Sequence, residues 1–203
     1  MTLGPFGGVL ASRVRLCVLD VSLKYMSVFT TQHLRTKYPL AFLLRDKINE
    51  HWFRFHSLPE SKRYAESEEE WITLIDRHRE VSDIVLGHGS RCSIYCAFYS
   101  DTAIPDDISS TFKWRRHNVF NQQSEEVIYS YVTEGYWDFD TFIDLIKQVA
   151  NDEVRHISFH SHKTDAMYCP YDGGADVFSF DESFMNDIRS KFTHWKSAHS
   201  TGL

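Results

Sequence analysis

The sequence lacks the features that mark several broad classes of protein. Its four cysteines, Cys17, Cys92, Cys96 and Cys169, include no Cys-x-x-Cys pair, which excludes a disulfide scaffold and favours a reducing compartment. No stretch approaches the roughly 18 unbroken apolar residues of a membrane span. No basic residue precedes the short apolar run near Met1, which argues against a secretory signal. We therefore expect a cytoplasmic protein with no membrane partner.

Basic residues are fewer than acidic residues in this chain. The 22 Lys and Arg residues are outnumbered by 28 Asp and Glu residues, which gives a net charge of −6 and argues against nucleic-acid binding as the main role. The aromatic and basic stretch at residues 113–117 is the one local exception. The motifs GxSxG, GxxxxGK[ST], GxGxxG and HExxH are all missing, which lowers the expectation of an enzyme.

The composition is that of one globular domain. The chain has 203 residues, of which 42% are hydrophobic and 15% aromatic, enough to bury a sizeable core. We expect that domain over residues 26–203 and interpret residues 1–25 as a non-native or poorly ordered extension, with Met26 as an alternative start. An ordinary buried strand at residues 14–21 is the other interpretation of that segment.

The hydrophobic pattern predicts alternating helices and strands. A short helical segment over 40–49 is followed by a strand over 52–56, a capped helix from Ser67 to Val85 and a strand over 92–99. Residues 100–124 are predicted to be a long connection. Beyond it we expect a strand from Val127, a helix capped by Asp138 or Asp140, a strand over 154–160 with a hairpin partner, and a helix capped by Asp181.

These elements predict an α+β fold. We expect a single domain with a mixed sheet and with helices packed mainly on one face. Its centre would be a split βαβ unit, extended by a hairpin strand and a C-terminal helix.

The first candidate site lies where the 52–56 strand runs out into a loop. Arg54, His56, Lys62 and Arg63 form a charge set that suits a phosphate, a carboxylate or an acidic partner surface. Solvated loop charges are the alternative interpretation.

The second candidate is the run from Tyr171 to Asp176. Its Asp172-Gly173-Gly174 triplet favours a tight turn that would hold Asp172 and Asp176 near each other. Paired carboxylates can act as general acid and base or hold a hard cation. A plain hairpin turn, with both aspartates bonded to local backbone amides, is the alternative.

A metal site is the third candidate. On one strand, His160 and His162 would lie roughly 7 Å apart on the same face, close enough to share a zinc ion with a third ligand. A polar strand edge is the alternative. Cys92 and Cys96, at i and i+4 of a strand, lie too far apart to share a metal and are expected in the core.

Two segments carry a family resemblance. The run RFHSLPESKRY at residues 54–64, and YDGGAD at residues 171–176 followed by Trp195 and Gly202-Leu203, resemble an uncharacterised family of small bacterial cytoplasmic proteins. The second run is similar to the terminal Tyr-Asp-x-x-x-Asp element of another bacterial domain of unknown function. The resemblance covers residues 38–203, implies a bacterial origin and favours the Met26 start. It implies no catalytic roles.

The function expected from the sequence is non-enzymatic protein binding of the immunity or inhibitor type, without a cofactor. An acidic, aromatic-rich face would meet a basic protein partner. The alternative is a small metal-dependent or phosphate-handling enzyme that uses Asp172, Asp176, His160 and His162.

Overall fold

A computed structural model describes residues 40–45, 48–99, 112–121 and 127–196. The predicted extension over residues 1–25, the alternative start at Met26 and Cys17 lie outside these residues. The helices of the described part are α1 (Ala41–Arg45), α2 (Glu68–Ser82), α3 (Phe139–Ala150) and α4 (Glu182–Lys191). The strands are β1 (Trp52–His56), β2 (Arg91–Phe98), β3 (Arg115–Asn121), β4 (Val127–Tyr136), β5 (Ser158–Ser161), β6 (Met167–Tyr171) and β7 (Gly174–Phe178).

Side-chain caps start three of the helices at the residues that the sequence favours. Ser67 accepts a hydrogen bond from the Glu70 amide, Asp138 from the Asp140 amide and Asp181 from the Phe184 amide. Helix α2 continues into one π-helical turn, Asp83–Gly87, which ends at Gly87 with a positive φ of 75°. The predicted helix starts are therefore confirmed.

The seven strands form one sheet in the order β1-β7-β6-β5-β2-β4-β3. Each of its six pairings is antiparallel. The predicted α+β class is confirmed, but the sheet is antiparallel rather than mixed, because β2 separates β4 from β5. Those two strands run in the same direction and are joined through α3, which is the predicted split βαβ unit.

Two strands differ from the sequence-based prediction. Strand β3 lies inside the long connection predicted over residues 100–124. Strand β5 begins only at Ser158, and the segment from Val154 to Ile157 is a turn-like connection in which His156 has a φ of 58°. A left-handed residue breaks the extended path, so His156 does not share a strand face with His160.

The sheet buries both faces. Helices α2, α3 and α4 cover one face through residues such as Val81, Phe142 and Ile188. On the other face, Leu44 of α1 packs with Met167, Cys169 and Phe178. Cys92 and Cys96 lie in the main core, as predicted. No helix of the described residues is both long and apolar enough to cross a membrane.

Candidate functional site

A cleft of about 320 Å³ opens at the end of the sheet where β1 and β6 finish and β7 begins. Three connections surround it: the loop between β1 and α2, the α3–β5 connection and the β6–β7 turn. Val149, Val154 and Pro170 give it apolar walls. Its polar lining consists of Arg63, Tyr64, Asp152, Arg155, His156, Tyr171 and Asp172.

The loop after β1 turns back toward the sheet through a short 3₁₀ helix, Pro59–Ser61, in which Glu60 and Ser61 have positive φ. The side chain of Asp172, in the β6–β7 turn, bonds this loop. Tyr64 Oη donates a 3.0 Å hydrogen bond to Asp172 Oδ2, and Arg63 Nε lies 3.4 Å from the same oxygen. Two of the predicted site residues, Arg63 and Asp172, are therefore brought together.

The β6–β7 turn approaches β1 closely. A Cβ atom on Gly174 would lie 1.9 Å from the carbonyl oxygen of Phe55, so this position requires glycine. The Gly173 carbonyl also accepts a 3.0 Å hydrogen bond from the Ser57 amide. Residues 171–174 thus form a hairpin turn, but Asp172 and Asp176 bond side chains of other segments rather than the local backbone amides of the plainer interpretation.

The α3–β5 connection supplies the third wall. Asp152 and His156 both have left-handed backbone, with φ of 61° and 58°. Arg155 Nε donates a 2.6 Å hydrogen bond to Asp152 Oδ1, and Arg155 Nη2 bonds the second oxygen. These hydrogen bonds lower the pKa of Asp152 and raise the pKa of Arg155.

Two polar atoms in the cleft walls are buried without a hydrogen-bond partner among the described residues, His156 Nε2 and Tyr171 Oη. Burial, and secondarily the charge of Arg155, lowers the pKa of His156, so its ring is neutral at neutral pH. Burial raises the pKa of Tyr171, so its hydroxyl keeps its proton and can donate. A buried polar group without a partner costs about 1–3 kcal/mol, and two such atoms lie in the walls of this one cleft.

Arg54 and Asp176 lie beneath this cleft and bind each other. Arg54 Nε and Nη2 donate to the two carboxylate oxygens at 2.7 and 2.9 Å, and Trp52 Nε1 adds a 2.8 Å hydrogen bond. The Tyr171 ring covers the guanidinium at 4.4 Å. Arg54 is 7% exposed and Asp176 is 1% exposed, so their contact with solvent is small. The pair therefore contacts the cleft through the ring of Tyr171.

His56 and Lys62 lie beside the cleft but do not line it. Lys62 Nζ binds Glu70 at 2.7 Å and Glu66 at 2.9 Å. His56 is buried, its Nε2 has no partner among the described residues, and desolvation lowers its pKa. The strand end therefore contributes Arg63 to the cleft and turns Lys62 toward α2.

The rings of His160 and His162 lie near each other, with centroids 5.6 Å apart, although β5 ends at Ser161 and His162 belongs to the turn that follows rather than to the same strand. Each has its own acidic neighbour: His160 Nε2 lies 3.0 Å from Asp165, and His162 Nε2 lies 3.4 Å from Glu134. Within the described ranges, no group of three or more His, Cys, Asp or Glu residues comes together in a way that could hold a metal. Strand register places His160 three strands from β1, about 14 Å away, so the histidine pair and the Arg54–Asp176 pair do not meet.

A buried hydrogen-bond chain lies behind β1. Ser57 Oγ is 2.7 Å from His78 Nε2, and His78 Nδ1 bonds the hydroxyl of Tyr168. The three residues are almost wholly buried, and desolvation lowers the pKa of His78 to about 3. Although a serine bonded to a histidine can form a nucleophile, this serine has no access to a substrate.

The sequence pointed to part of this site. Arg63, Tyr171 and Asp172 were among the predicted residues. Asp152 is not predicted, because it lies in a short connection between two elements, where no periodic pattern marks a residue. The available signal is the run Asn151-Asp152 directly after a helix, since these residue types favour turns and left-handed backbone.

The buried hydroxyls of Tyr171 and Tyr168 are expected to respond oppositely to removal. Tyr171→Phe deletes an unpartnered hydroxyl and keeps the ring over Arg54, so the free energy of unfolding should stay the same or rise. Tyr168→Phe leaves His78 Nδ1 without its partner and should lower the free energy of unfolding by about 1–3 kcal/mol. Urea unfolding of both variants measures the difference. A large loss in Tyr171→Phe would contradict the assignment of this hydroxyl to a ligand.

Comparison with known proteins gives one family. The model of a domain of unknown function, DUF3885, matches residues 40–200 and thus includes every described residue. Neither the curated proteins nor the solved structures contain a match to this chain. Because the matched region spans most of the 203 residues, the chain belongs to the DUF3885 family.

Proposed function

We propose that this protein is a cytosolic, non-enzymatic protein-binding module of the immunity or inhibitor type, and that the cleft is its contact site. The observation that carries the proposal is the pair of buried atoms, His156 Nε2 and Tyr171 Oη, that have no partner among the described residues. Backbone strain at Asp152 and His156 accompanies them, at a cost of order 1 kcal/mol or more for each residue. A bound partner would offset both costs.

The accessible chemistry favours binding over catalysis. The three described cysteines are buried, and desolvation raises the pKa of Cys92 and of Cys96 to about 12, so neither is a thiolate at neutral pH. The Ser57–His78–Tyr168 chain is enclosed in the core. Asp176, which the enzymatic alternative requires, is bonded to Arg54 and Trp52.

The residues at the rim of the cleft favour a protein as the binding partner. Tyr64 is an exposed aromatic residue that lines the cleft, and exposed Tyr99 packs its ring 5.4 Å from His156. Tyrosine is enriched at protein interfaces because its large ring loses little conformational entropy on binding. The net charge of −6, together with exposed Glu66, Glu68 and Glu69 beside this rim, supports a partner that is basic overall. The bacterial origin implied by the sequence resemblance belongs to the same proposal.

The test compares two exposed tyrosines. The immobilised full chain and the variants Tyr64→Ala and Tyr136→Ala are incubated with an extract of the cells that make the protein, at low and at moderate salt. Tyr136 is the matched control because it is exposed at the opposite end of the sheet, where β4 ends beside Arg91. Captured proteins are identified by mass spectrometry. A captured protein is then purified, and its stoichiometry and affinity are measured by calorimetry.

The proposal expects one stoichiometric partner that the wild type and Tyr136→Ala retain and Tyr64→Ala loses. Removing an interface tyrosine should weaken the purified complex by about 2 kcal/mol or more. Capture that is equal for all three chains would overturn the cleft as the contact site. The absence of a stoichiometric partner at either salt would overturn the protein-binding proposal itself.

A further inference from the structure

The hydrogen-bonding groups of the cleft are unbalanced in favour of donors. Arg63 carries five N–H donors, and its one ionic contact within the described residues is Nε with Asp172 at 3.4 Å. Its side chain is 63% exposed, so the remaining donors face the mouth of the cleft or solvent. Arg155 uses Nε and Nη2 on Asp152 and keeps its Nη1 donors.

Three of the four carboxylate oxygens of Asp152 and Asp172 are already engaged. Both oxygens of Asp152 bind Arg155, and Asp172 Oδ2 takes the hydroxyl of Tyr64 and the guanidinium of Arg63. These carboxylates are more buried than the two arginines, whose side chains are 63% and 65% exposed. An incoming cation would meet carboxylates whose charge the two arginines already balance, whereas an incoming anion would meet unused N–H donors on both arginines.

The inner wall adds two groups that suit the same ligand. The hydroxyl of Tyr171 retains its proton and has no acceptor among the described residues. His156 Nε2 can carry the proton of a neutral imidazole and donate it. The apolar walls formed by Val149, Val154 and Pro170 lower the local dielectric, which strengthens a charge-assisted hydrogen bond formed between them.

We infer that the cleft anchors an oxyanion, either a carboxylate or a phosphoryl group, between the guanidinium groups of Arg63 and Arg155 and the inner groups of Tyr171 and His156. The inference rests on the proposed function in that the partner protein would present this group. A partner that is basic overall still carries carboxylates, because its net charge steers the encounter while the cleft recognises one group.

The experiment titrates the full chain with inorganic phosphate and, separately, with succinate, while sodium chloride keeps the ionic strength constant. Isothermal calorimetry measures the dissociation constant, and the rise in Tm provides an independent readout of the same binding. Preferential binding of succinate identifies a carboxylate as the source, and preferential binding of phosphate identifies a phosphoryl group.

Three variants make the test specific. Tyr171→Phe and Arg63→Gln should each raise the dissociation constant by roughly ten- to hundredfold, as expected for the loss of a hydrogen bond to a charged ligand. Arg91→Gln is the matched control because Arg91 is 61% exposed and holds Glu134 at 3.5 Å, a geometry close to that of Arg63 and Asp172. It should leave binding unchanged.

The outcomes separate this inference from the proposed function. If neither anion binds above the chloride baseline, or if Arg91→Gln weakens binding as much as Arg63→Gln, the oxyanion site is overturned. The protein-binding proposal would still stand in that case if Tyr64→Ala loses its captured partner. If the anions bind as expected but no protein is captured, the oxyanion site stands and the protein-binding proposal fails.

Discussion

Asp176→Ala is expected to lower the free energy of unfolding by about 3–5 kcal/mol, because it leaves the buried guanidinium of Arg54 without its bidentate partner. The loss extends beyond one pair, since Trp52 Nε1 donates to the same carboxylate and Arg45 Nε lies 3.9 Å from it. Urea unfolding, with the slope compared between variants, measures the change.

Asp140→Ala is the control for burial. Arg79 Nη2 lies 2.6 Å from Asp140, but that carboxylate is 70% exposed and screened by solvent, so its removal should cost far less stability than the removal of Asp176. The double variant Arg54→Met/Asp176→Leu removes both buried charges and should be more stable than Asp176→Ala. A loss in Asp176→Ala as small as that in Asp140→Ala would show that the Arg54–Asp176 pair does not stabilise the fold.

This pair shows what the sequence could predict and what it could not. Period-two alternation places Arg54 and Asp176 on strand faces, and both were candidate binding residues. The sequence does not reveal that β1 and β7 are neighbours whose register sets Arg54 directly opposite Asp176. Strand pairing between residues so far apart in the chain depends on tertiary packing, which local patterns do not specify.

The prediction of helices and strands shows the same dependence on local patterns. Helices with strong local signals, such as α2 with its Ser67 cap, begin where the sequence predicts. Strand β3 was missed because its run Arg115-Arg116-His117-Asn118 lacks an apolar alternation, and its pairing with β4 is what makes it a strand. The cleft was predicted only in part for a related reason: its lining comes from three connections, and loops carry the weakest periodic signal.

Acid is expected to destabilise the fold through His78. Burial lowers the pKa of this ring to about 3 from its ordinary value of 6.5. Between these two values the unfolded chain binds a proton that the folded chain does not, so the free energy of unfolding falls as the pH falls. The loss attributable to His78 is roughly 3–5 kcal/mol by pH 3, and it fades as the pH rises above 6.5 and the ring becomes neutral in the unfolded chain as well.

His78→Gln isolates this contribution from the other acid-sensitive groups, among them His56 and His156, whose pKa values burial also lowers. The variant should be less stable than the wild type at pH 7, since its hydrogen bonds with Ser57 and Tyr168 are altered. Between pH 6 and pH 4, however, the free energy of unfolding of the variant should fall less steeply than that of the wild type. The two slopes should differ by up to about 1.4 kcal/mol per pH unit. Exposed His88→Gln is the control and should keep the wild-type slope. If His78→Gln and the wild type showed equal slopes, His78 would take up its proton as readily in the folded protein as in the unfolded chain. That result would contradict the burial of His78 between Ser57 and Tyr168.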